Sequence, residues 1–397
     1  MRDGCAHLLG REVIEEDQGR AGLERFVELA QGGDFDLDDL ARGCAALAGV
    51  DGRRDPPGSA DVVLLDQKAV VKTGAVIAGA ADTDGVFLQD AVRRLARERN
   101  AVILAHNYQV PEIQDVADFV GDSLGLAIEA RKTDAPVIVM CGVYFMAETA
   151  KIVNPERIVL SPDPTAGCSL ADSITLRDLR QWKAEHPGAV VVSYVNTTAE
   201  IKAESDYCVT SGNAESVVRS IPSDQDILFL PDQFLGSWIK ERTGRQNMHV
   251  WMGECHVHAG IHPEEVRARQ EAYADADLLI HPECGCASAC VWANGRGVMN
   301  PRTFVLSTEG MVKHASTSPA TTFVVATETG ILHRLNKEMP GKHFVAADDS
   351  AVCRYMKQIT LEKVRATLRD LSPRVEIPAP IAARARVAID RMLAVHA

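Results

Sequence analysis

The chain has 397 residues, 46% hydrophobic and 24% charged, with a formal net charge of −13 and ten cysteines, a length that calls for roughly two to four domains. The acidic balance argues against broad nucleic-acid binding, which needs basic surface to displace counterions, and no apolar run nears the ~20 residues that span a bilayer. The N-terminal "MRDGCAHLLGREVIEEDQ" is too charged for a signal peptide, so the expected location is the cytoplasm, where ten cysteines do not form a disulfide framework.

Residues 1–85 read as an extension of unassigned role, broken by the linker-like "DGRRDPPGSAD" (51–61). "LQDAVRRLARERN" (88–100) predicts an amphipathic helix leading into the strand "AVILAH". From there the chain repeats. "AVILAHNYQ" begins at Ala101, "AVVVSYVNT" at Ala189 and "DLLIHPECG" at Asp277. Each is a short apolar run of the buried parallel-strand type that ends in polar residues.

A hydroxyl residue follows each run and is expected to cap a helix. His106 to Ser123 and Tyr194 to Ser211 are both 17 positions, whereas His281 to Thr308 is 27. The difference is assigned to an insertion at "CGCASACVWANGR". A second apolar run comes next in each unit: "APVIVMCG" (135–142), "DILFLPD" (226–232) and "TTFVVATETG" (321–330). A helix and a third short strand then close the unit. Alternating strands and helices predict an α/β fold of three-layer αβα domains with parallel sheets. The expected domains are 86–172, 173–258 and 259–353, with 354–397 packing back on the first.

Each unit closes with one cysteine in the equivalent place. "IVLSPDPTAGCSLAD" carries Cys168, "MHVWMGECHVH" carries Cys255 and "KHFVAADDSAVCRYMK" carries Cys353. A single thiol is usually a small buried hydrophobe. Three in register, beyond the carboxyl ends of parallel strands where open α/β sheets place their function, point to three thiolates meeting at one point. Iron–sulfur clusters take four thiolates, so three leave an iron open as a Lewis acid. Zinc is the alternative metal, although it normally takes a fourth protein ligand or a His-rich catalytic set.

The remaining cysteines carry less. Cys141 and Cys208 read as core, and Cys5 and Cys44 have no signal. Cys284, Cys286 and Cys290 sit close together in the insertion; a second metal site is one reading, but a local role or a thiol pair is favoured, with a redox-sensitive set or a lid beside the site as its form. The hydroxyls Ser123, Ser211 and Thr308 suggest a ring of helix N-termini suited to an anion. The strand-end residues His106, Tyr108, Tyr194, Asn196, His281 and Glu283 would line the same cavity. Glu283, the carboxylate of that set, is the expected general base. His258, three residues after Cys255, is a further proton carrier.

The motifs "AHNYQVPEIQDVADFVGDSLGLA", "YVNTTAEIKAESDYCVTSGNA", "GECHVH", "HPEC" and "TETGILHRLNKEMPGK" resemble those of the quinolinate synthases of bacterial NAD biosynthesis, from about residue 88 to the C-terminus. The resemblance implies three Rossmann-like domains around a pseudo-threefold axis, with the active site at their common interface. It implies a [4Fe–4S] cluster on Cys168, Cys255 and Cys353. The implied reaction condenses iminoaspartate with dihydroxyacetone phosphate to quinolinate, with loss of phosphate and water. Tyr108 would assist proton transfer, while His106, Ser123, Tyr194, Asn196, Ser211, His281 and Thr308 would bind substrate. Coupling to an L-aspartate oxidase that supplies the imine is a further implication, with neither nucleic acid nor membrane as partner. A different cluster-dependent hydro-lyase and an iron–sulfur sensor are the rival readings.

Overall fold

Apolar runs without polar alternation need burial on both faces, and the computed structural model places all six of them in parallel sheets. It describes residues 87–395; the expectation for residues 1–85 lies outside that range. The first sheet holds β1 (Ala101–His106), β2 (Phe119–Gly121), β3 (Val137–Cys141) and β4 (Ile158–Leu160). The second holds β5 (Val190–Tyr194), β6 (Tyr207–Val209), β7 (Ile227–Leu230) and β8 (Met248–Val250). The third holds β9 (Asp277–Ile280), β10 (Thr303–Val305), β11 (Thr322–Ala326) and β12 (His343–Ala346).

All three sheets share one strand order, second–first–third–fourth, with every pairing parallel. The repeat seen in the sequence is thus a repeat of topology: three parallel four-stranded sheets, each flanked by helices. Alternate strand residues feed different cores. Ile103, Ala105, Val137, Val139 and Cys141 face one apolar cluster, whereas Leu104, Ile138 and Met140 face another. That second cluster also takes Val192 and Phe229 from the second sheet and Leu278, Val324 and Val325 from the third. The three units therefore share one central core.

Helix 87–98 covers the outer face of the first sheet through Val92 and Ala96, and Asn100 leaves it with φ of 47°, the left-handed geometry that commonly ends a helix. Helix Leu361–Asp370 lies on the same outer cluster through Leu361, Val364 and Leu368. The insertion after Glu283 contains helix Ala287–Gly295. Among the described residues no helix is long and apolar enough to cross a membrane.

The last helix, Ala379–Ala394, bridges two units. Its Arg386 Nη1 donates to the carbonyls of Ile152 and Val153 in the first unit, each at 3.1 Å. On the second unit it touches helix Ala199–Ala203 and β6, and Asn213 Nδ2 donates to its Met392 carbonyl at 3.0 Å. Buried Ala385, Ala388, Ile389 and Met392 form its inner face. Spaced at i, i+3 and i+4, they make an apolar stripe wide enough to seal a seam between two units.

Glu204 anchors this seam, meeting Arg180 at 3.0 Å, Lys183 at 3.2 Å and Arg384 of the last helix at 3.0 Å. Burial alone would raise its pKa, but these hydrogen bonds hold the carboxylate down at about 2. The folded value is depressed, so the stabilisation is full above the ordinary Glu range and disappears as pH falls toward 2. Glu204→Gln should therefore cost on the order of 1 kcal/mol at pH 7. Denaturant midpoints of the two proteins should converge as the pH is lowered from about 5 to 2.

Candidate functional site

Because all twelve strands run parallel within their sheets, the first strand of each unit delivers its terminal residues to the same end of its sheet. The structure brings these ends together. His106 ends β1 and Tyr108 follows it, Tyr194 ends β5 with Asn196 just beyond, and His281 and Glu283 follow β9. All six line one cavity, together with Ser123, Ser211, Thr308, His258, Cys168, Cys255 and Cys353. Every site residue singled out from the sequence is therefore on a single wall-to-wall surface.

The rings form a continuous stack. His106 meets Tyr108 edge-on at 4.5 Å, Tyr108 lies 5.8 Å from His258, and His258 stacks on His281 at 4.9 Å. His106 Nδ1 accepts the Tyr108 backbone N–H at 3.2 Å, and the Tyr108 hydroxyl pairs with Thr327 Oγ1 at 2.6 Å. On the opposite wall the Tyr194 hydroxyl donates to Glu283 Oε1. His281 Nδ1 faces the same oxygen at 3.5 Å, while its Nε2 is 3.3 Å from Ser211 Oγ.

Exclusion of water sets the protonation states. Burial, reinforced by Lys357 and His258, lowers His106 to about 3. Burial first and a neighbouring histidine second lower His258 to about 3, and the same effects push His281 well down. All three imidazoles are neutral near pH 7. Burial raises Tyr108 and Tyr194 well above the ordinary phenol value, with repulsion from Glu283 next in size. Glu283 itself is raised by burial and drawn back by the Tyr194 hydrogen bond, to about 7. It is a carboxyl group that can both take and give a proton near neutrality.

The three cysteines share a local motif. Cys168 Sγ accepts backbone N–H groups from Leu170 and Ala171, Cys255 from Val257 and His258, and Cys353 from Tyr355 and Met356. In each case the donors are the second and third residues on, where the chain enters a short helical turn: Ala171–Ser173, His256–Ala259 and Met356–Gln358. Two N–H dipoles aimed at sulfur favour a thiolate or a ligated sulfur. Burial works the other way, lifting Cys168 to about 12 and Cys255 and Cys353 above the usual thiol value. A thiol in that position loses its proton to a metal rather than to water.

The hydroxyls depart from the expected geometry, Ser123 and Thr308 by one position and Ser211 by two. The caps are Asp122, which accepts from Gly125 N at 2.8 Å, and Ser307, which accepts from Gly310 N at 3.2 Å. Ser123 and Thr308 are first helical residues, and Ser211 lies in the turn before helix Ala214–Ser220. Relief from capping leaves the Ser123 and Ser211 hydroxyls at the cavity wall. Thr308 Oγ1 instead accepts Asn107 Nδ2 at 3.0 Å.

Cys141 and Cys208 are fully buried core residues. The insertion cysteines divide. Cys284 Sγ donates to the Ala326 carbonyl at 3.1 Å and contacts His258 Nδ1 at 3.2 Å, whereas Cys286 and Cys290 line a separate cleft with Val266 and Met299.

Two acidic residues escaped the sequence reading. Glu328 is buried, accepts the N–H of Gly330 at 2.7 Å and of Cys353 at 3.0 Å, and pairs with Lys357 at 2.8 Å. Asp232 is buried and caps helix Gln233–Thr243 through Leu235 N at 2.7 Å; burial and then repulsion from Glu283 raise its pKa well above normal. Both end the second apolar run of their units. Their position at the end of a buried strand is the sequence signal that points to them.

Gly330 sits against the site. A Cβ there would lie 2.9 Å from the backbone of Tyr108 and 2.8 Å from Glu328 Oε2. Gly330→Ala should fold, displace Tyr108, and lower kcat on the order of 10²-fold, the usual cost of misplacing a reacting group. Circular dichroism alongside steady-state kinetics checks both halves.

Comparison with known proteins gives a family match over residues 90–394, described as NadA: Quinolinate synthetase A protein. The chain is 57% identical over 311 residues to a quinolinate synthase of Thermus thermophilus, covering 78% of this chain and 98% of that one. It is 54% identical over 306 residues to a quinolinate synthase of Pyrobaculum aerophilum, covering 77% of this chain and 99% of that one. A quinolinate synthase of Mycobacterium tuberculosis matches at 53% over 303 residues, covering 76% of this chain and 87% of that one.

Proposed function

This chain belongs to the quinolinate synthase family, and we propose that it condenses iminoaspartate with dihydroxyacetone phosphate to quinolinate, using a [4Fe–4S] cluster held by Cys168, Cys255 and Cys353. The observation that carries the reading is the single cavity. Three half-buried thiols, each with two N–H donors, share it with a near-neutral carboxyl group and neutral imidazoles. The donor set suits a cluster with one free coordination position. When bound, that cluster supplies a Lewis acid for loss of hydroxyl as water.

The chain's own groups account for the rest. The dicarboxylate and the phosphate are held by hydroxyls and free N–H groups at Ser123 and Ser211, where the cavity offers donors and helix N-termini rather than cations. His106 and Asn196 fix orientation. Glu283 moves protons between substrate atoms, because a carboxyl group with a pKa of about 7 changes state at little cost near neutral pH. Tyr194 holds Glu283 by its hydrogen bond, and Tyr108, neutral and next to His258, donates where a carbonyl oxygen develops charge. Closure of an aromatic ring with loss of water is favoured in a site that already excludes solvent. The reading places the protein in the cytoplasm, in functional coupling to an oxidase that forms the unstable imine.

An anaerobic iron and sulfide count with a quinolinate assay tests this. Wild type should hold about four iron and four sulfide. Cys168→Ala should lose cluster and product together. Glu283→Gln should keep the cluster and lose at least about 100-fold in kcat. A Cys168→Ala protein with full cluster and activity would sink the ligand assignment, and a fully active Glu283→Gln would sink the proton role.

A further inference from the structure

In the buried wall of the cavity a histidine nitrogen faces a carboxylate oxygen without a hydrogen bond between them. His281 Nδ1 has no hydrogen-bond partner, although it is buried and 3.5 Å from Glu283 Oε1. Its other nitrogen lies against Ser211 Oγ at 3.3 Å. With Ser211 accepting from Nε2–H, Nδ1 presents a lone pair to a carboxylate. An arrangement of that kind costs free energy unless something positive or protic fills it.

The ring beside it is set in the same way. Cys284 spends its S–H on the Ala326 carbonyl at 3.1 Å, so its sulfur can only accept from His258 Nδ1, 3.2 Å away. That fixes the proton on Nδ1 and leaves Nε2 bare. A ligating histidine usually has one nitrogen anchored by an outer partner and the other free for the ion. Two such rings, stacked at 4.9 Å with an angle of 25° between planes, stand beside one carboxylate. One donor atom from each of His258, His281 and Glu283 lies within 4.8 Å of the other two.

We propose that His258, His281 and Glu283 form a three-ligand site for a divalent cation of the zinc class, separate from the three cysteines, and that occupancy of this site inhibits the enzyme. Two imidazoles and a carboxylate with a fourth position open form the donor set that zinc takes at reactive sites, and imidazole suits the later first-row metals over magnesium or calcium. The ion would hold Glu283 as a ligand and so withdraw it from proton transfer. The inhibitory half rests on the proton role given to Glu283 above; the binding half does not.

The experiment uses the anaerobic holoenzyme with its cluster in place, so that Cys168, Cys255 and Cys353 are already engaged. Cobalt(II) is the probe, since a tetrahedral site gives it strong visible absorption. One equivalent should bind and be displaced by zinc. His281→Gln and Glu283→Gln, each checked for unchanged iron content and circular dichroism, should weaken binding by at least about 10-fold, and Ser211→Ala by about 10–100-fold as a lost outer partner. Cys286→Ser, in the neighbouring cleft, should bind as wild type does. Zinc should lower the apparent kcat, with full recovery on adding EDTA. No cobalt bound by the holoenzyme would overturn the proposal. So would binding undiminished in both ligand variants, or lost in Cys286→Ser. Failure to make quinolinate in chelated buffer would instead strike the proposed function, which the cobalt titration does not touch.

Discussion

Desolvation of the strand ends is the constraint on which the site depends. Parallel strands bring their last polar residues to one end of each sheet, and here three sheets close over the same space. Groups that would be hydrated elsewhere must satisfy one another. Neutral imidazoles, protonated phenols and a carboxyl group near its midpoint follow from that shortage of water, not from any one ion pair. The net charge of −13 therefore says little about the interior, where burial raises the pKa of Asp122, Asp232, Glu283 and Glu328.

A second layer holds the walls in register. Lys357 reaches the Tyr108 carbonyl of the first unit and Glu328 of the third, and Glu328 in turn holds the N–H of Cys353. A buried pair of this kind is weak as a source of stability, because desolvation offsets its attraction. Its effect here is geometric. It joins the turn bearing an acid–base residue to the turn bearing a thiol, so neither moves without the other. Lys202 does similar work in the second unit. Fully buried, it donates to the Thr197 carbonyl and steadies the loop that follows Tyr194 and carries Asn196.

Much of this was legible in the sequence because the repeat is a repeat of strands. Apolar runs at equal spacing located the sheets, and the residues after them located the cavity. The three thiols stood out by register, not by type. Ser123 and Thr308 misled by one residue, because a Ser or Thr next to a helix start resembles a cap even when Asp122 or Ser307 beside it does the capping. Glu328 and Asp232 were missed for a different reason: acidic residues at a strand end look like ordinary loop polarity until the fold shows them buried. The last helix was expected on one unit and touches two, since an apolar stripe records how much surface is covered and not whose surface it is.

That bridging helix has a consequence for how the protein is made. A ribosome releases the first and second units before Ala379–Ala394, so the seam between them has no cover while the third unit is made. Cys353, the last of the three equivalent thiols, also emerges before it. The two units are thus complete while their seam still lacks its latch, and the bridging helix fastens them afterwards.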